Sequence, residues 1–470
     1  MSSDRVNQLQ ALTRSDVAGL TADVTGVVLL PEDNGYAAEC ATYNTAVPRL
    51  PAVVVGAACA ADVQRAVRFA GAHGRPVTVL NTGHTSLPLG RDAVLITTRR
   101  MTGVTIDTTL ARARVGAGVR WQQVIEAAAP HGLAPLNGSS PTVGVVGYTL
   151  GGGLSPTLGR AFGWASDHVT ALDVVTANGA LRHATVATEP ELFWGIRGAR
   201  ENLGIVTAME FDLFPVSRLY GGSLAFSGKH AEAVLSAYAR LTALAPDELT
   251  TSIAFLRSPD LPAFPASLPG TCTIHVRVSW LGTAAEGDAL LRPLREAAPT
   301  LADTVADMPY SAFASIHADP VDALPFAERT VTLAALEPRL IQRLVEDLGG
   351  ESDGAPAIVG LRHLGGAMAG PSINAGAAGL RDGEFALWVI ALGDESTTAS
   401  ARPWTDAFFG RLGPWLVPGR LLNFMGRDDV GEEAVRAAYP PATYRRMQEA
   451  KAAYDPGNLF RLGHTIPPHP

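Results

Sequence analysis

Residues 77–90 read VTVLNTGHTSLPLG, a short apolar run that turns into a loop holding a single histidine. Val77 to Leu80 have the β-branched texture of a strand, while Asn81, Gly83, Pro88 and Gly90 are residues that end one. Upstream, AADVQRAVRFAGAHG sets Val63, Ala66, Val67 and Ala70 on one helical face, with glycines at its end. A helix feeding a strand predicts an α/β unit, and such units bind ligands in loops at the carboxyl ends of their strands. A tight turn has no use for an imidazole, so His84 is a candidate functional group.

A second loop-forming stretch, NGSSPTVGVVGYTLGGGLSPTLGRAFG, spans residues 137–163. Gly144, Gly147, Gly151, Gly152 and Gly153 are too dense for ordinary turns. A backbone without Cβ atoms can approach a phosphate closely and aim its N–H groups at the oxygens. The tract lacks the Gly-Lys-Ser/Thr of a P-loop, and it lacks the glycine order and acidic partner of the dinucleotide fingerprint. Taken alone it reads equally well as a series of tight turns. Two glycine-marked loops in one unit, the first carrying His84, point to a large phosphate-bearing cofactor.

Around these loops, AVLITT and GVTIDTTLARARVGAG read as strands and WQQVIEAAAPHG as a helix closed by Gly132. HVTALDVVTANGALRHA is a strand pair with an Asn178-Gly179 hairpin turn. Thr188 and Glu191 have capping-box spacing, with Pro190 in the first helical turn. From about residue 218 helices intersperse with long strands. In CTIHVRVSW, Cys272, Ile274, Val276, Val278 and Trp280 share one side. That predicts an antiparallel sheet with helices on one face, and the fold class is α+β.

Composition narrows the function classes. Hydrophobic residues make up 47%, enough for large cores, and the net charge of −8 comes with no Lys/Arg stripe, which argues against nucleic acid. Cys40, Cys59 and Cys272 are too far apart for a metal cluster or a disulfide framework, and no metal is expected. The first residues lack a secretory h-region and no apolar run is long enough to span a bilayer. A soluble, cytoplasmic protein is expected, either monomer or homodimer.

The stretches TGHTS, SSPTVGVVGYTLGGGLS, LFWGIRGARENLGIVTAMEFDLFPV, LRHLGGAM, LLNFMG and YDPGNLF occur in this order along the chain. Together they resemble the berberine-bridge-enzyme-like branch of the vanillyl-alcohol-oxidase / p-cresol methylhydroxylase (PCMH-type) FAD-linked oxidoreductases. The resemblance implies a two-lobed FAD-binding domain over residues 1–217, an inserted substrate domain over 218–420, and a segment over 421–470 that returns to the FAD domain. It implies that His84 bonds covalently to the flavin. It also implies a cofactor cradle of Leu80, Asn81, Thr82, Gly83, Thr85 and Ser86, then Gly138, Ser139, Ser140, Thr142, Val143, Gly144, Gly147, Tyr148 and Gly151 to Gly153, with Ile205 and Val206 by the adenine and Asn423 near the ring. Some relatives carry a cysteinyl second tether where this chain has Ser140. A serine cannot form the thioether, so a single tether is expected.

Two proton acceptors common in the family are missing. A tyrosine position is Leu421 and a glutamate position is Gly360. Arg362 and His363 alternate on their strand, so only one of them can face the flavin, and with Tyr148 and Tyr310 they are the candidates for catalysis. Leu421, Leu361 and Phe424 point to an apolar small-molecule substrate, such as a polycyclic secondary metabolite. The expected function is an oxidase passing a hydride to FAD, with dioxygen as acceptor. The alternatives are a flavin-dependent oxygenase or cyclase, favoured by the missing bases, and a non-catalytic binding protein, disfavoured by the intact cofactor motifs.

Overall fold

The computed structural model describes residues 11–257, 272–349, 355–372, 374–378 and 380–469. Three sheets organise the chain. The first has four strands in the order Val27–Leu29, Val53–Gly56, Val94–Thr97 and Val77–Leu80. Val94–Thr97 runs parallel to both of its neighbours. Strand Val53–Gly56, helix Ala60–Ala72 and strand Val77–Leu80 form the expected α/β unit. The helix buries Val63, Ala66, Val67 and Ala70 completely against Val53 and Val55. Each of those valines contributes roughly 1.5–3 kcal/mol by leaving water. Because Val77–Leu80 and Val94–Thr97 are adjacent and parallel, the chain cannot turn back in a hairpin. Residues 81–93 must cross the sheet end as a long loop, and this loop carries His84.

The second sheet has five strands in the order Val104–Asp107, Arg112–Gly116, Ile205–Asp212, Val169–Val175 and Leu181–Ala184, all antiparallel. The Asn178-Gly179 turn joins its last pair, with Gly179 at φ +74°. The expected capping box at Thr188 and Glu191 does not form. Glu189 is the N-cap of helix Pro190–Ala199, the Thr185 hydroxyl accepts from the Thr188 N–H, and Glu191 instead pairs with Arg446. Local spacing there yields to tertiary ion pairing.

The third sheet is antiparallel, with nine strands from Arg218–Ser227 to Leu416–Val417. Its two faces follow the period of two. Ile274, Val276, Val278, Val359, Leu361, Leu387 and Val389 pack on one side beneath helices Ala231–Ala243, Ala284–Arg295, Pro338–Leu348 and Arg402–Arg411. The other side turns toward the two smaller sheets.

The last segment folds back on the first unit. Helix Pro441–Tyr454 packs on helix Pro190–Ala199, and the carbonyl of Leu459 accepts from the N–H of Val77. Lys451 is fully buried and donates to Asp455 (2.6 Å) and to the carbonyls of Asn202 and Phe460 (2.8 Å each). Asp455 in turn accepts from the N–H groups of Leu459 and Phe460. Among the described residues no helix is long and apolar enough to cross a membrane, and no group of His, Cys, Asp and Glu is arranged to hold a metal ion.

Candidate active site

A cavity of about 380 Å³ lies where the three sheets meet. One wall is the crossover loop. Asn81 donates to the carbonyls of Ala117 (3.1 Å) and Val119 (3.4 Å), which pins the loop to the second sheet. Gly83 sits at φ +73°, where a Cβ would lie 2.6 Å from Thr42. The turn therefore requires glycine. His84 then lies in the wall with its ring stacked on Tyr43, centroids 3.8 Å apart and planes 16° apart. Its Nε2 is 3.3 Å from the Thr142 hydroxyl, which is 2.9 Å from that of Ser140. Burial, reinforced by the charge of Arg120, pushes the His84 pKa down to about 4, so the imidazole is neutral at physiological pH.

The glycine tract forms the second wall. Leu80 through Ser86, Gly138, Ser139, Ser140, Val143, Gly144, Gly147, Tyr148, Val206 and Asn423 all line the cavity, and Thr142 reaches it through His84. Gly147 has nothing within 4 Å of the position its Cβ would take, so its bare backbone faces open space. The Tyr148 hydroxyl is buried without a hydrogen-bond partner, and burial raises its pKa well above the usual range. An open glycine backbone beside an unpartnered hydroxyl fits a large, oxygen-rich cofactor.

Other expected cradle residues lie elsewhere. Gly151, Gly152 and Gly153 do not line the cavity; they let the chain pass close to Asn423, Trp164 and Ala165. Asn423 holds that turn by accepting from the Gly153 N–H (2.7 Å) and donating to the Tyr148 carbonyl (2.7 Å). Ile205 points into the core between the first two sheets, and its neighbour Val206 reaches the cavity instead. Arg200, absent from the expected set, donates to Thr85 (3.2 Å) and to His464 Nδ1 (3.1 Å).

The third wall is the face of the nine-stranded sheet opposite its helices: Arg277, Phe326, Glu328, Ile358, Arg362, Trp388, Ile390 and Leu392. The strand alternation selects Arg362. Its guanidinium lies over the rings of Trp388 (4.9 Å) and Phe424 (5.4 Å), with Nη2 3.5 Å from Ser139. His363, expected as a catalytic candidate, is on the opposite face. It stacks on Phe385, accepts at Nε2 from Arg160 (3.2 Å), and is held neutral by burial, with its pKa down to about 3. Tyr310 is likewise structural, its hydroxyl donating to Asn137 (2.5 Å). Leu361 and Leu421 sit in cores rather than in the cavity, whose apolar lining is supplied by Phe326, Trp388, Ile390 and Phe424. Gly360 is covered by the indole of Trp388, so the space a longer side chain would need is already filled.

Glu328 is another titratable group that the sequence did not single out. It lines the cavity, and burial pushes its pKa up to about 7 despite the opposing charges of Arg362 and Arg200. A carboxyl poised near neutrality can accept a proton during turnover. A neutral imidazole, bare glycine backbone and a poised carboxyl in one cavity make a site for a large cofactor beside a small substrate.

The comparisons agree. Residues 51–185 match the family model described as an FAD binding domain. The chain is 28% identical over 464 residues to the (R)-6-hydroxynicotine oxidase of Paenarthrobacter nicotinovorans, covering 95% of this chain and 97% of the relative. The solved 6-hydroxy-D-nicotine oxidase of Arthrobacter nicotinovorans superposes with a TM-score of 0.81 at 25% identity, covering 95% of this chain and 98% of that one. A BBE-like protein of Physcomitrella patens shares the fold with a TM-score of 0.83 at 18% identity, covering 97% and 99% of the two chains. These matches support a PCMH-type FAD-linked oxidoreductase family, and the chain is an FAD-linked oxidoreductase.

Proposed function

We propose that the protein is an FAD-dependent oxidase in which a single covalent bond to His84 holds the flavin, and which takes a hydride from a small, largely apolar organic substrate with dioxygen as the final acceptor. The neutral His84 ring carries this proposal. An imidazole that stays unprotonated keeps a nucleophilic lone pair, and Tyr43 and Thr142 fix its plane in the cavity wall. Thr142 engages Nε2, which leaves Nδ1 as the nitrogen for the bond. Ser140 spends its hydroxyl on Thr142 and offers no sulfur for a second tether.

FAD, when bound, supplies a two-electron acceptor that dioxygen can regenerate with release of hydrogen peroxide. The chain supplies the rest. Phe326, Trp388, Ile390 and Phe424 exclude water and seat an apolar substrate body. Glu328 accepts the proton that leaves a substrate N–H or O–H as the hydride departs, in place of the acceptors absent at Leu421 and Gly360. Acid precipitation of the purified protein tests the tether. The pellet stays yellow in the wild type, and the colour moves to the supernatant in His84→Ala. Wild-type protein that gives up its flavin to the supernatant would refute the covalent bond.

A further inference from the structure

We infer that the substrate carries a carboxylate and that Arg277 and Arg362 bind it as a pair; this deepens the oxidase proposal and rests on it. The two arginines come from different strands but share one row of the sheet. Ser252 is the register partner of Arg277 on one side and of Arg362 on the other, so all three side chains leave the same face. Two strand spacings put the arginine Cα atoms roughly 10 Å apart, a span over which long side chains can converge on one small anion.

Both guanidiniums line the cavity, and burial lowers the pKa of each. Arg277 is only 7% exposed. Among the described residues no carboxylate comes within 4.0 Å of either one. Arg277 Nη1, Arg362 Nε, the Ser252 hydroxyl and His317 Nε2 are all buried without a hydrogen-bond partner. Native proteins rarely leave a buried cation and its neighbours unsatisfied, because each unpartnered group costs its desolvation. The unpartnered N–H groups of two guanidiniums beside open space are therefore a site for a ligand that accepts hydrogen bonds.

Charge fixes the kind of ligand. His317 is held neutral, its pKa pushed far down by burial and then by the two arginines. Asp319 lies close enough to favour the charged form of both arginines but can balance only one of them. Glu328 shares the cavity, and burial keeps it partly protonated near neutral pH. Arg277 and Arg362 set against Asp319 leave about one positive charge in this group while Glu328 holds its proton, and a monocarboxylate cancels it. The guanidinium fork presents paired N–H donors that match the two oxygens of a carboxylate. Trp388, Phe424 and Ile390 line the same chamber, so the acid belongs to an otherwise apolar molecule.

Calorimetric titration of the flavin-loaded protein with 1-naphthoate and with the neutral 1-naphthamide tests this without turnover. We expect the wild type to prefer the carboxylate by about tenfold or more, as charge-assisted hydrogen bonds in a dry site require. In Arg277→Gln and in Arg362→Gln the preference falls to about twofold or less. Arg362→Lys, which keeps the charge but loses the fork, retains part of it. Thermal midpoints close to wild type show that the variants are folded, and Arg277→Met serves where the glutamine variant is not. Equal affinity for the two probes in the wild type overturns the inference, as does a preference that survives both substitutions. Flavin content and the reoxidation of dithionite-reduced protein by air judge the oxidase proposal separately. Bound flavin with rapid reoxidation but equal probe affinity sinks the carboxylate alone. Protein that cannot be loaded with flavin sinks the oxidase, while a naphthoate preference in that same protein still upholds the anion site.

Discussion

Replacing Glu328 with glutamine should move stability and activity in opposite directions, by amounts that depend on pH. The ordinary value of 4.5 and the folded value of about 7 differ by an amount equivalent to roughly 3 kcal/mol against the ionised form. Below the ordinary value the carboxyl is protonated in the folded and the unfolded chain alike. As pH rises, the unfolded chain gives up its proton first and the folded chain releases its own only near 7. Native stability therefore falls across this interval and levels off above it. Glutamine has no proton to lose. Glu328→Gln should thus match the wild type near about pH 4 and exceed it by up to roughly 3 kcal/mol at about pH 8, read as a widening gap in thermal midpoint. Peroxide release should fall about 10²–10⁴-fold, because the proton acceptor is gone. In the wild type the rate should rise with pH through an apparent pKa near 7, and this limb should be absent from the variant. A stability gap that does not change with pH would show that Glu328 is not a buried titrating group. An unaltered pH–rate profile in the variant would assign proton transfer to another residue.

Other substitutions probe the remaining walls. Gly147→Leu should fill the open cradle, abolishing flavin uptake measured by absorbance, while the flavin-free protein gains roughly 0.5–1 kcal/mol from better helix propensity. Lys451→Met should leave Asp455 buried without its cation and cost about 3–5 kcal/mol, seen as a lowered thermal midpoint. Gly360→Glu, which restores the carboxylate position of relatives, should destabilise the protein by displacing the Trp388 indole, and Trp388→Ala in the same chain should recover most of the loss.

Much of the cofactor side was legible in the sequence because glycine and loop chemistry are local. Gly83 is required by its own backbone angle, and His84 sits between a strand end and a crossover that the parallel pairing enforces. The substrate side was harder to read. In CTIHVRVSW the apolar set announces a core, while the sequence does not say what Thr273, His275, Arg277 and Ser279 on the other side meet. Only the docking of that face against the first two sheets turns Arg277 into a cavity residue. Glu328 is hidden for the same reason, since both sides of FAERTVTL mix apolar with charged residues and neither says which one meets another unit. Gly360 and Trp388 lie on different strands, and register alone makes one occupy the other's space. The choice between Arg362 and His363 was similarly two-fold until the core claimed the histidine.

The chamber draws on segments made at very different times during synthesis. His84 and the glycine tract leave the ribosome early, the arginine-bearing sheet follows, and Asn423, His464 and the Leu459 carbonyl that secures Val77 come last. A nascent chain that has not reached those last residues has an open chamber. Flavin capture should therefore wait until nearly all of this sequence has been translated, and prematurely stalled chains should be colourless.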